Sequence, residues 1–222
     1  MAQCIVYVVL YHAVFAGVLV IAHVNAHGSF NVLQAVLAIF CAVNAWICVC
    51  EIALLAKWKL IQRQHADFEK RLGVGRLPAP IFLFEDVPVR RLFTLEYWAV
   101  MWSTYAALDP SYVDTTSFGF CVDVGNGIVT LVPTLVFALG MTWPFLAPRM
   151  LGMVGLVFFY QMFYGTVVYF FQYTFNGRYA RAPLSHALGI VLPANGLWLV
   201  FPAIGMWSSA QLILDGTYAV FR

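Results

Sequence analysis

The stretch "PANGLWLVFP", residues 193–202, carries no charge, and the uncharged run around it extends from residue 186 to residue 214. A run of that length exceeds the roughly 20 residues an α-helix needs to cross a bilayer. A helix that only anchors a chain needs no asparagine, no tryptophan three positions on, and no pair of prolines. Their presence implies that one face of this helix meets something other than lipid.

Working outward, four more apolar runs of spanning length follow, at about 4–26, 30–58, 117–146 and 150–175, with Glu51 and Lys57 in the second span and Asp123 in the third. The 222-residue chain is 63% hydrophobic and 10% charged, with a mean hydropathy of +0.84. A soluble domain carries about 25% charged residues. The sequence therefore predicts an all-α integral membrane protein, a bundle of five transmembrane helices. Helices one and two occupy 1–58, a basic amphipathic linker with an interfacial segment occupies 59–116, and helices three to five occupy 117–222. The N-terminus has neither a basic region nor a small-residue cleavage site, so the first run is expected to be retained rather than removed as a signal peptide.

The net charge is only +2, but its distribution is uneven. With five spans, the N-terminus, the linker and the loop after the fourth span share one side. That side holds 10 of the 12 basic residues: Lys57, Lys59, Arg63, Lys70, Arg71, Arg76, Arg90, Arg91, Arg178 and Arg181. Only Arg149 and Arg222 lie opposite. An excess of Lys and Arg marks the cytosolic side, or the matrix side in a mitochondrial membrane. Within the linker, "KLIQRQHADFEKRLG" (59–73) can prolong the second span as a surface helix capped by Gly73. "RLPAPIFLFEDVPVRR" (76–91) is punctuated by proline and expected to be extended. "RRLFTLEYWAVMWSTYAALD" (90–109) reads as an amphipathic segment at the interface, with Tyr97, Trp98, Trp102 and Tyr105 at headgroup depth.

Several classes are excluded by what is missing. There is no glycine-rich phosphate loop, nucleophile elbow, zinc-ligand spacing or nucleic-acid module, and no cofactor or metal is expected. All five cysteines fall within the spans. Cys48 and Cys50 point to nearly opposite helix faces, which suits neither a disulfide nor a metal, so the cysteines read as small buried hydrophobes. Of the five histidines only His12 and His23 share a helix face, and packed or interfacial roles suit them best.

The informative residues are polar ones inside the apolar runs. Glu51 lies seven residues before Trp58, and Asp123 lies about as far past Ser117, so each sits ~10 Å in from the linker side. An ionisable group at that depth costs at least ~2.5 kcal/mol and should face the bundle interior. Asn44 shares a helix face with Glu51. Asp123, Asn126 and Thr130 form a stripe on the third span, and Asn195 and Trp198 stand i, i+3 on the fifth. Three helices can thus present polar groups to one pocket, with Gly125, Gly127 and Gly196 allowing close approach. Asn44, Asn126, Thr130, Gln161 and Gln172 suit equally well a plain role in bonding neighbouring helices.

Four motifs carry a family resemblance: "WSTYAALDPSY" (102–112), "FCVDVGNG" (120–127), "QMFYGTVVYFF" (161–171) and "PANGLWLVFP". With "AWICVCEIALL" (45–55) they cover about residues 40–214. On these the chain resembles the emopamil-binding, or EXPERA, family of sterol delta-8,delta-7 isomerase-like membrane proteins. The resemblance implies a five-helix fold with an intramembrane pocket for a sterol or other apolar lipid, in the endoplasmic reticulum. Carried over, Glu51 would be the acid/base and Asp123 the opposing proton acceptor. Trp198 would be the cation–π partner and Asn195 a positioning group. Beside these, the helical stripes offer Asn44, Asn126 and Thr130, and the first motif Tyr105 and Tyr112, as residues lining the site. Three departures stand out: Ile47 occupies the place of a family histidine, Asp123 replaces a glutamate, and the orientation set by the basic linker is opposite to the one the isomerase resemblance implies. The residues thus leave two readings open. One is an isomerase. The other is a non-catalytic lipid binder or accessory subunit that meets membrane-protein partners or a second copy of itself, with the mitochondrial inner membrane as the alternative location.

Overall fold

The structure, a computed structural model, describes residues 1–222 and is all-α apart from one pair of two-residue strands. In chain order the helices are α1 (Cys4–His27), α2 (Val32–Ala56), α3 (Trp58–Leu72), α4 (Leu95–Tyr105), α5 (Phe118–Val129), α6 (Leu131–Gly140), α7 (Pro148–Phe175) and α8 (Leu184–Asp215). Four of them, α1, α2, α7 and α8, are long and apolar enough to cross a membrane. At 1.5 Å per residue even α1, the shortest, runs ~36 Å, longer than the ~30 Å hydrocarbon layer. Helices α5 and α6 meet at a 46° bend and together make a fifth candidate span.

That bend is absent from the sequence reading, which runs one helix through 117–146. Its cause is Pro133. A proline there has no N–H for the Val129 carbonyl, and its ring crowds that carbonyl, so the ladder breaks just ahead of it. Pro193 has a milder effect. A π-helical turn, Ala187–Val191, precedes it and widens the ladder where the proline cannot donate. Pro202 stays inside a continuous helix.

The chain divides into two compact units. The first comprises Met1–Tyr7, Cys48–Ile128 and Gly165–Gly196. In it α3 and α4 pack together: Lys57 pairs with Glu96 at 2.5 Å, and the buried His65 bonds the Ser103 carbonyl at 3.3 Å. Helix α3 stops at Gly73, whose φ of +92° favours glycine, as the sequence implies. The stretch 76–91 is only partly extended. It forms tight 3₁₀ turns at Phe82–Phe84 and Val89–Phe93, and between them β2 (Asp86–Val87) pairs antiparallel with β1 (Ala2–Gln3).

Segment 90–109, expected as an amphipathic stretch, packs inside this unit. Tyr97, Trp98 and Trp102 are buried in the protein, and so are Ala99, Ala106, Ala107 and Leu108. The physical reason is that each indole finds an acceptor inside the unit. Trp102 donates to the Cys50 carbonyl at 2.6 Å and Trp98 to the Leu92 carbonyl at 2.8 Å.

The second unit comprises Val8–Ile47, Val129–Tyr164 and Leu197–Arg222. Its core is aromatic, with Phe40 stacked on Phe201 and Phe137 edge-on to Phe158, Phe159 and Phe221. Small residues admit these rings: a Cβ at Gly205 would collide with Phe159, and one at Gly155 with Phe137 and Ser209. Four cysteines are buried as expected, but Cys121 is exposed on α5, which corrects its reading as a buried hydrophobe.

Candidate functional site

The site is built around Glu51, near the end of α2. Its side chain is 3% exposed, and both carboxylate oxygens accept from the Asn126 amide, at 3.0 and 2.8 Å. The residue after that asparagine has to be glycine. A Cβ at Gly127 would stand 2.6 Å from Glu51 Cβ and 3.0 Å from the Cys48 carbonyl oxygen. The missing side chain is what brings α5 against α2 here. One turn back on α5, Asp123 is half-buried and accepts from the Tyr112 hydroxyl. The Glu51 and Asp123 carboxyls lie within electrostatic reach of each other. A carboxylate taken from water into a protein interior is tolerated only with such partners.

The linker supplies the phenols. Asn195 on α8 donates to the Tyr105 hydroxyl at 2.8 Å and to the Val191 carbonyl of its own helix, also at 2.8 Å. Tyr105 is half-buried and Tyr112 fully so, their rings edge-to-face at 5.3 Å. Burial pushes the Tyr105 phenol above its ordinary range, and burial followed by the Asp123 charge does the same to Tyr112. Both therefore keep their protons at neutral pH and can act as donors.

The burial of Asp109 and its ion pair with Arg178 went unread in the sequence. Asp109 is completely buried, and its Oδ1 caps the Ser111 N–H at 2.9 Å and takes Arg178 at 3.1 Å. Asp109 also stands within side-chain hydrogen-bonding reach of the buried Tyr169 hydroxyl, which in turn reaches Tyr105. The signal was present in "LDPSY", since an aspartate just before proline marks a cap. Arg178 lies 69 residues away and no local pattern announces it.

The remaining expected residues belong to the second unit and form a closed group there. Asn44 donates to Thr134 at 2.8 Å and Thr130 at 3.3 Å, and its oxygen accepts from the Trp198 indole at 3.0 Å. Trp198 also meets Phe40 edge-on at 6.0 Å. So the structure brings together Glu51, Asp123, Asn126, Asn195, Tyr105 and Tyr112 in one unit, and Asn44, Thr130 and Trp198 in the other. Asn195 and Trp198, neighbours on one helix, take different partners. No three His, Cys, Asp or Glu side chains are grouped to hold a metal ion.

The class these features define is an integral membrane protein of apolar helices with an acid-containing polar cluster. No family model, no curated protein and no solved structure matches the chain.

Proposed function

We propose that the chain is a five-span, EXPERA-type membrane protein that holds a sterol or other apolar lipid beside the acid cluster and shifts a double bond in it. The observation that supports this reading is the acid pair. Glu51 and Asp123, on α2 and α5, lie within electrostatic reach of each other, one held by an amide and the other by a phenol. Carboxyls in unlike surroundings release protons at different pH, so one can donate while the other accepts. Half-buried Asp123, Tyr105 and Asn195 would meet the ligand, and Glu51 would reach it once the Asn126 amide releases one of its oxygens. One carboxylic acid gives its proton to an alkene carbon, and the neighbouring carboxylate takes a proton from the carbon beside the resulting cation. The lipid leaves with its double bond moved, and no co-reactant is consumed. In this reading the protein sits in the endoplasmic reticulum with its basic linker in the cytosol.

A second reading is a non-catalytic member, either a lipid binder or an accessory subunit of a larger membrane complex such as one in the mitochondrial inner membrane. It is favoured by Ile47, four residues before Glu51 where the resemblance expects a histidine. It is favoured too by Asn126, whose amide occupies both Glu51 oxygens. Assay of delta-8 sterol isomerisation in mild detergent separates the two. If the acids do the chemistry, Glu51→Gln and Asp123→Asn each lower turnover by at least ~100-fold. An inactive native protein that purifies with a stoichiometric set of other membrane subunits gives the second reading.

A further inference from the structure

Helix α2 ends at Ala56 and α3 begins at Trp58, with Lys57 between them outside helical geometry at φ −121° and ψ 20°. A residue that directly follows an apolar span lies at headgroup depth, the layer tryptophan favours. There Trp58, Lys59, Gln62, Arg63 and Ala66 line a surface groove of about 550 Å³. The Lys59 ammonium stands 5.3 Å from the Trp58 ring centroid. Arg63 follows one turn on, its Nε donating to the Lys59 carbonyl at 3.3 Å. Neither cation has a carboxylate partner, whereas Lys57, Arg71, Arg178 and Arg181 are all ion-paired. The groove is also held in place. Gln62 donates to the Val113 carbonyl at 2.7 Å, and Ile61 beside it is fully buried, so α3 cannot roll.

We propose that this groove binds the headgroup of one anionic glycerophospholipid. Lys59 and Arg63 take the phosphate oxygens, and Trp58 packs against the glycerol. The acyl chains run along the exposed Leu55 and Ala56 at the end of α2. Three features select this occupant. The groove opens where an apolar span ends, two unneutralised cations stand one turn apart, and the volume exceeds what a bare phosphate fills. The site uses none of the residues of the acid cluster, so its occupancy is independent of whether Glu51 and Asp123 do chemistry.

Native mass spectrometry of the full chain in mild detergent tests this, with dioleoyl phosphatidylglycerol and dioleoyl phosphatidylcholine as separate probes. One phosphatidylglycerol per chain is expected to bind ahead of phosphatidylcholine. Each cation near an anionic surface contributes about fivefold, so Lys59→Gln/Arg63→Gln is expected to weaken binding by about 30-fold. The swap Lys59→Arg/Arg63→Lys keeps both charges and retains the lipid. Lys70→Gln/Arg76→Gln removes the same charge from elsewhere in the linker and leaves binding unchanged. Equal weakening in both Gln double variants would mean a diffuse field rather than a site. No preference between the two lipids overturns the proposal, and so does displacement by an equal concentration of inorganic phosphate.

Discussion

Gly127 shows how a single missing methyl sets the site. The Glu51 Cβ and the Cys48 carbonyl occupy the space a side chain would need, and a carbonyl cannot swing aside. Gly127→Ala should therefore push α5 from α2 and cost ~1–3 kcal/mol, the range for overpacking. Gly125→Ala is the matched control, because nothing stands within 4 Å of its added Cβ, and alanine is the better helix former. Thermal melts in detergent should show a lower midpoint for the first variant and no fall for the second. Asp109 carries a different kind of cost. Asp109→Asn keeps the cap on Ser111 but leaves the Arg178 guanidinium, 16% exposed, without its counter-charge. Breaking a buried pair costs ~3–5 kcal/mol, and the residual exposure of Arg178 puts the expected loss at the lower end. Denaturant titration of the reconstituted protein checks it, and a loss under ~1 kcal/mol would place the pair among weak surface bridges.

Helices α3 and α4 illustrate what an element gains from being docked rather than solvated. His65 is buried between them, and burial, only partly offset by Glu69, pulls its pKa below the usual histidine value. The folded imidazole therefore stays neutral at a pH where the unfolded one already takes a proton. Its share of the docking is complete above about pH 6.5 and falls away as pH drops through the folded value, by up to ~1.4 kcal/mol per pH unit. Melting midpoints measured from pH 7.5 to pH 5.5 should decline in the native protein and decline less in His65→Gln. Equal slopes would remove His65 from the linkage. Little of this docking could be read in advance. Tyr97, Trp98 and Trp102 have the composition of an interfacial belt, and only the carbonyls of Cys50 and Leu92, 52 and six residues distant, reveal that the indoles are satisfied inside protein. The second and third spans repeat the lesson. Their apolar runs were evident, but a proline three residues into α6 bends one of them by an amount no hydropathy sum contains.

For the whole molecule the open choice is whether α5 and α6 together cross the membrane. If they do, five crossings put the N-terminus and the basic linker on one side and Arg222 on the other. If they turn back, four crossings leave both termini on the same side. Epitope tags at Met1 and Arg222, probed by protease protection in sealed vesicles, should be cut from opposite faces. Cutting from one face would make the bent pair a re-entrant loop and remove the five-span fold. The positive-inside bias does not decide between them: five crossings place Arg178 and Arg181 with the linker's eight cations, four place Arg149 and Arg222 there instead, and ten of the twelve share a side either way.

The sequence alone determined where the apolar helices lie, the cap at Gly73, and which polar side chains share a helix face. These are local quantities, sums or spacings over a few adjacent residues. Tertiary structure decided the pairings. Glu51 meets Asn126 across 75 residues, and Asn44 meets Trp198 across 154. A hydrogen bond requires two atoms to come within about 3 Å. That approach depends on how each helix is rotated and how closely glycines such as Gly127 let it pack. Helical spacing put Asn195 and Trp198 on one wall, but packing gave them different partners, Tyr105 for one and Asn44 for the other.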